Sequence, residues 1–541
     1  MHARRGRTLA GAALAGIVVA LLLADARAST CHAHFSLSDY PSCIQATPNV
    51  TLHWAVSSDS ITWGVDVDGE WSWVGVGLSE GGMLGADLAV ASQADESGLG
   101  SSGWGALDMW SAGFELPTVD SQQNVVLVSA ERSSGSTRVA MRRPIIACDP
   151  QDRTVQNDTR QTVVYAFGAG RFVYHGPEHR GSQELVLLPA PRPALDPALA
   201  DVTLQVLEMR MPPYAVPTAY TAYTCVNLEL PNDKKYHIYK YEPIIDNVRV
   251  VHHFVAWACT SKPTKALGAP YDCLRTDKGM ECAQFYMSWA PGSGAITSPP
   301  EAAQAFGWGS KVFFGLQVHY SNPEGLEGQT DSSGFRVYYS DVLKQYDMGL
   351  MTIGTDNIAV PAGAESWSTK PNKCPGSCTQ QLAPAAGLTL VDSFYHMHQL
   401  GKRMITRHIR NGVELEPLGR RDYFDFNYQS TSNIPASTRQ LLPGDELITT
   451  CTYTGINRTE TTKFGLSSYD EMCFNYMTYY PENLAINFCM TLDTLPLMPD
   501  GFGVATCAKQ KELRQMDSVI DVATLLRARK LVLLPPNTTF R

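Results

Sequence analysis

Six side chains in this chain have the types and spacing for metal chemistry: His252, His253, His319, His396, His398 and Met472. They read as two unlike copper sites, one of three imidazoles and one of two imidazoles and a thioether. A thioether has little use for zinc or the hard cations, whereas Cu(I) takes one readily. Two unlike copper sites in one chain suggest single electrons moving to bound dioxygen.

Each string is weaker alone than in company. Alternate residues of a strand share a face, so His396-Met397-His398 can offer two imidazoles to one ion without bending the backbone. The same spacing recurs in His32-Ala33-His34, near the start of the chain, where it is read as a surface pair. His252 and His253 are neighbours, and neighbours on a strand face opposite ways. They can share an ion only if the strand is twisted or bulged there. Otherwise one is a buried histidine and the other an exposed one. His319, in Leu316-Gln-Val-His-Tyr-Ser-Asn-Pro323, is unremarkable by itself.

The elements that must carry these residues are strands. Short apolar or alternating runs such as Val125–Val128, Val312–Val318 and Leu388–Val391 are separated by Gly and Pro, the pattern of β-sandwiches. Only the stretch near Met516 to Lys530 has helical periodicity. The Leu187–Ala200 segment, LLPAPRPALDPALA, reads as an extended linker. All six candidate ligands follow it. An N-terminal module over residues 45–170 therefore precedes a region of about 300 residues, too large for one sandwich. That region is expected to divide near Gly349 into halves at 202–350 and 351–510, with a tail at 511–541.

The chain has 541 residues, 44% hydrophobic and 18% charged, with a formal net charge of -10. It is no disordered polymer, and its acidity argues against nucleic acid or an anionic membrane as partner. Residues 1–28 read as a secretory signal: Arg4, Arg5 and Arg7, an apolar run to Ala24, then Ala26-Arg27-Ala28 as cleavage site. An uncleaved signal anchor is the alternative, the run being close to the shortest membrane-spanning helix. No second apolar run follows, and the C-terminus carries no lipid-anchor signal. Thirteen cysteines in a secretory chain imply disulfides, and the odd count leaves at least one without an internal partner. Sequons at Asn49, Asn157, Asn457 and Asn537 fit the same route.

Two resemblances sharpen this reading. Trp73-Val-Gly-Val-Gly-Leu-Ser79, Met83-Leu-Gly-Ala-Asp87 and Cys148-Asp-Pro-Gln-Asp152 resemble a DOMON domain. Members of that family bind haem or sugar, or pack on a partner domain. Haem would need axial ligands such as Met83 with a histidine, and a methionine beside glycines is more often a turn or core residue. The strings Val251–Cys259, Leu316–Pro323, Tyr395–Arg403, Leu442–Tyr453 and Asp470–Pro481 occur in the order found in copper type II, ascorbate-dependent monooxygenases, over about Val202 to Cys507. The chain resembles their dopamine β-hydroxylase-like branch. The resemblance implies an all-β protein: a DOMON sandwich, two jelly-roll-like copper sandwiches and a short C-terminal helix.

It also implies roles. His252, His253 and His319 match the ligands of the copper that stores and passes on an electron. His396, His398 and Met472 match those of the copper where dioxygen binds and a substrate C–H bond is attacked. The two coppers of the family face each other across an open cleft, and ascorbate supplies two electrons one at a time. The reaction is R–H + O2 + 2 ascorbate giving R–OH, water and two semidehydroascorbate.

By the same analogy Cys225–Cys273, Cys259–Cys282, Cys374–Cys489 and Cys451–Cys473 are paired, with Cys378–Cys507 and Cys31–Cys43 as further candidates. Cys148 is left free or intermolecular, and a homo-oligomer stays open. Peptide-amidating relatives clamp a substrate carboxylate with an arginine at the position of Phe394, so peptidylglycine is disfavoured. Phe394 and Tyr476 are candidates for an aromatic wall around a phenolic amine or another apolar substrate, although Tyr476 reads equally as a core aromatic. A non-catalytic copper- or ligand-binding protein, and a structural sandwich protein with incidental histidines, are the competing readings.

Overall fold

The computed structural model describes residues 31, 34–93, 103–133, 135–157, 159–189, 202–273, 282, 284–434, 439–465, 467–487 and 489. The signal, most of the Pro-rich linker, His32, Cys507, Asn537 and the Met516–Lys530 segment lie outside them. The regular structure of the described chain is nearly all strand, and the chain divides into two compact units.

The first unit is built on two sheets. One runs in the order Ser42–Thr47, Val50–Val56, Ser60–Asp68, Ser136–Pro144, Val126–Ser133; the other contains Trp73–Ser79 and Ala86–Gln93 as neighbours. The Trp73–Ser79 strand is buried at every residue, so its sequence shows no polar alternation. Its glycines permit close approach: a Cβ on Gly77 would stand 1.9 Å from the Asp87 carbonyl oxygen across the ladder. Met83 sits in the bend between these strands, where its carbonyl accepts the Ala86 N–H. Cys31 and Cys43 are bonded, and Cys148 is a free, exposed thiol.

The second unit holds two sandwiches in sequence. In the first, the sheet Tyr271–Asp272, Thr221–Glu229, Phe313–Ser321, Val251–Ala258, Gln284–Trp289 packs on the sheet Gln205–Arg210, Gly334–Ser340, Lys235–Ile244, Ala302–Gly307, Tyr346–Asp347. Phe254, Ala256, Phe306, Phe314, Leu316, Phe335 and Val337 fill the space between. In the second, the sheet Gly349–Thr355, Cys473–Tyr480, Leu388–His396, Thr431–Asn433 faces Trp367–Ser368, Glu446–Tyr453, Gly401–Arg410, Val413–Arg421. The chain passes from one sandwich to the other between Asp347 and Gly349, because Tyr346–Asp347 pairs with Ala302–Ala303 and Gly349 already pairs with Tyr479.

A helix the sequence analysis did not anticipate, Gly376–Leu382, lies in the second sandwich after Pro375. It is seven residues long, too short for a readable period. Cys378, Thr379 and Leu382 bury its inner face, and Cys378 is disulfide-bonded. Cys374–Cys489 and Cys451–Cys473 are bonded within this sandwich, and Cys225–Cys273 and Cys259–Cys282 within the first.

A third apolar cluster spans the two sandwiches. Val255, Trp257 and Phe285 of the first meet Leu350, Phe394, Met472, Phe474 and Tyr476 of the second. Phe285 and Tyr476 stack at 4.2 Å between centroids. The expected open cleft is therefore closed here: aromatic surfaces that would otherwise face water are buried against each other.

Candidate metal centre

The strand Val251–Ala258 is buried on both faces. Phe254, Ala256 and Ala258 enter their own core, while Val255 and Trp257 face the second sandwich. Parity alone would send His252 inward. A bulge intervenes: Val251 pairs with Tyr320 and His253 with His319, leaving His252 as the extra residue. This is the distortion that two adjacent imidazoles need in order to share an ion. His252, His253 and His319 each place a ring nitrogen within 4.8 Å of the others. The atoms that meet are Nδ1: 3.0 Å from His252 to His253, and 3.3 Å from His253 to His319. Tyr223, opposite His319 on the neighbouring strand, stacks on its ring at 4.3 Å.

The second set depends on a bulge as well. Leu388 and Leu390 point into the core of the second sandwich. Leu390 pairs with Tyr479 but Asp392 with Thr478, so Val391 is an extra residue and the parity reverses. Beyond it Ser393 and Tyr395 point inward. Phe394 and His396 turn toward the first sandwich. Without the bulge they would be buried in their own core, one residue out of phase.

His398 departs from the simple H-x-H expectation. The strand ends at His396, so a shared strand face does not place His398. Hydrogen bonds do. Glu471 Oε2 accepts the His398 N–H at 2.9 Å, and its Oε1 accepts the Leu400 N–H at 2.6 Å. Assigned from this network, His398 Nδ1–H donates to the Asp470 carbonyl at 3.1 Å, and His396 Nδ1–H to Gln429 Oε1 at 2.7 Å. Both rings are thus left with Nε2 as the available donor to a metal. The His396 and His398 rings lie 5.2 Å apart. Met472 follows Glu471 directly, is 4% exposed, and lines a cavity with His396, His253, Phe394 and Tyr476.

The two sets meet. The His253 and His396 rings are 5.6 Å apart, and Phe426 stacks on His252 at 4.1 Å while approaching His398 at 6.1 Å. Burial, then the neighbouring imidazole of His396, pushes His252 down to about 3. Burial and the other histidines hold His253 and His319 well below the usual value. Burial lowers His396 to about 4 and His398 to about 3. All five rings are neutral at physiological pH, as metal ligands must be. Nε2 of His398 is buried without a hydrogen-bond partner. The orphaned Nε2 of His398, the buried thioether of Met472 on the cavity that His396 also lines, and the Nδ1 atoms converging on His253 are a donor set that fits copper.

Phe394 and Tyr476 lie directly opposite one another on paired strands, their rings 6.1 Å apart, and both face the cavity. Tyr476 also belongs to the apolar cluster between the sandwiches, so it is cavity wall and core at once. Burial raises its phenol far above the ordinary value, so it stays protonated. Sequence reasoning did not find Glu471, Gln429, Phe426, Tyr223 or Ser468. Only Glu471, next to the thioether, carried a local signal.

Three family models match the chain: the DOMON domain over residues 46–168, the N-terminal domain of the copper type II ascorbate-dependent monooxygenases over 207–327, and their C-terminal domain over 346–495. Dopamine beta-hydroxylase of Rattus norvegicus is 31% identical over 492 residues, covering 87% of this chain and 77% of that protein. DBH-like monooxygenase protein 1 of Gallus gallus is 31% identical over 432 residues, or 76% of this chain and 68% of its own. Tyramine beta-hydroxylase of Caenorhabditis briggsae is 31% identical over 361 residues, or 63% and 61%.

Proposed function

Because this chain belongs to the copper type II, ascorbate-dependent monooxygenases, oxidoreductases that hydroxylate with dioxygen, copper and ascorbate, we propose that its two ligand sets are His252, His253, His319 and His396, His398, Met472. The observation that carries the assignment is the meeting of three Nδ1 atoms at the His252 bulge. Copper, when bound, supplies one-electron transfer and the activation of dioxygen.

The protein's own residues do the rest. Gln429, Asp470 and Glu471 orient His396 and His398 before any ligand arrives, so little reorganisation is needed during reaction. Trp257, Phe285, Phe394 and Tyr476 exclude water from the cavity shared by His253, His396 and Met472. That cavity has the largely apolar, aromatic lining typical of a site for a small organic molecule. We read Phe394 and Tyr476 as its aromatic wall and a phenolic amine or another apolar molecule as the substrate. Phe394 offers no bidentate grip on a carboxylate, which disfavours a peptide C-terminus.

Five disulfides among the described residues, with Cys378 bonded as well, support a site of action in the secretory lumen or outside the cell. Among the described residues no helix is long and apolar enough to cross a membrane.

The test is metal content after copper loading and dialysis, beside ascorbate-dependent oxygen consumption with a panel of aromatic amines. Two coppers per chain and substrate-dependent turnover are expected. One copper or none, or copper without turnover, would return the chain to a binding role.

A further inference from the structure

Ser468 belongs to the second sandwich, yet its hydroxyl lies 3.2 Å from Nε2 of His319 in the first, 149 residues away. Both residues are completely buried. With Nδ1 of His319 turned toward His253, Nε2 is the nitrogen left to carry the proton and donate it to Ser468 Oγ. We propose that Ser468 is a positioning residue for the first copper site, supplied across the interface by the domain that holds the second.

The surroundings show that this contact belongs to a built interface. The Thr221 hydroxyl donates to Ser468 Oγ at 3.4 Å. Tyr220 packs on Tyr469 at 4.6 Å between centroids, and Gln399 Nε2 donates to the Tyr220 hydroxyl at 3.0 Å. The next residue, Asp470, accepts the His398 Nδ1–H. Two residues one position apart thus hold one histidine of each set: Ser468 holds His319, and Asp470 holds His398. Tyr223, stacked on the His319 ring, fixes its plane but not its tautomer. Ser468 is the partner among the described contacts that selects which nitrogen faces His253.

The consequence follows from rigid geometry. When the sandwiches are together, the tautomer and orientation of His319 are set by Ser468. The donor strength of the first site therefore depends on the sandwich that carries the second, and the second site is unaffected by the loss of this bond. Partners of this kind change metal affinity by about 10–100-fold when removed.

The inference rests on His319 being a copper ligand, and the experiment separates the two. Copper affinity of each site is measured on the full-length protein by competition with a colorimetric Cu(I) chelator. Cu(II) electron paramagnetic resonance spectra are recorded for wild type, Ser468→Ala, Ser468→Thr and His319→Gln. We expect His319→Gln to hold one copper fewer. Ser468→Ala should hold both, with the first site weakened roughly 10-fold or more and its spectrum altered, the second unchanged, and Ser468→Thr close to wild type. Two coppers in His319→Gln would overturn the ligand reading itself. One copper in His319→Gln together with a wild-type first site in Ser468→Ala would overturn the role of Ser468 alone. If Ser468→Ala does not fold, Ser468→Cys, similar in volume and a weak acceptor, replaces it with the same two outcomes.

Discussion

His253 and His396, from separate sandwiches, stand with their rings 5.6 Å apart. His396 faces His253 only because Val391 is an extra residue in its strand, and the extra residue His252 in the other strand brings a second imidazole alongside His253. Two local irregularities of backbone pairing thus bring the ligand sets to one water-poor chamber.

Met472→Leu keeps the volume of the side chain but removes the sulfur. The variant should retain one tightly bound copper per chain and bind the other at least about 10-fold more weakly, in line with the preference of Cu(I) for thioether donors. Metal analysis after graded dialysis measures this. Unchanged stoichiometry and affinity would remove Met472 from the ligand set.

Phe394→Ala opens the wall of the cavity opposite Tyr476. Truncating a buried phenylalanine costs about 3–5 kcal/mol of stability, so Phe394→Leu is the companion variant. Both should raise the Michaelis constant of the true substrate, by roughly 10-fold for a side chain contributing about 1.4 kcal/mol of binding. A constant unchanged in both variants would discard the aromatic wall.

Glu471 is buried with both oxygens on backbone N–H groups of the His398–Leu400 turn. Burial raises it to about 8, with the backbone N–H groups opposing. Above that pH, where both oxygens accept, Glu471→Gln keeps the shape but turns an amide N–H toward a backbone N–H. The expected loss is about 1–3 kcal/mol, with copper weakened at the second site alone. Thermal unfolding and chelator competition check it; equal weakening at both sites would show a general rather than a local effect.

Asp108, in the first unit, is pushed up to about 7 from 3.8 by burial and by the neighbouring Asp87 and Asp152. Because the folded value is raised, the folded state holds the extra proton between those two values. Stability from this group declines as pH rises through about 7. Asp108→Asn should therefore gain on the wild type between pH 4 and pH 8 in chelator-containing buffer. The gain should be up to about 4 kcal/mol, roughly three units of pKa at about 1.4 kcal/mol each. A gap that does not change with pH would show that Asp108 is ionised without cost.

What the sequence determined by itself was chemistry and class. The histidines, the methionine and the alternating runs are readable because ligand identity and strand periodicity are written residue by residue. The order of motifs around His252, His319, His396 and Met472 was enough to reach a family. Only the tertiary structure decided how those residues meet. The pairing registers that make His252 and Val391 the extra residues depend on neighbouring strands more than 60 residues away for the first and 80 for the second. The closure of the cleft depends on Trp257 and Phe285 finding Phe394 and Tyr476. The bonds of Glu471, Gln429 and Ser468 to the histidines connect residues 33 to 149 positions apart. No local pattern encodes such contacts, because they exist only when separate strands are stacked face to face.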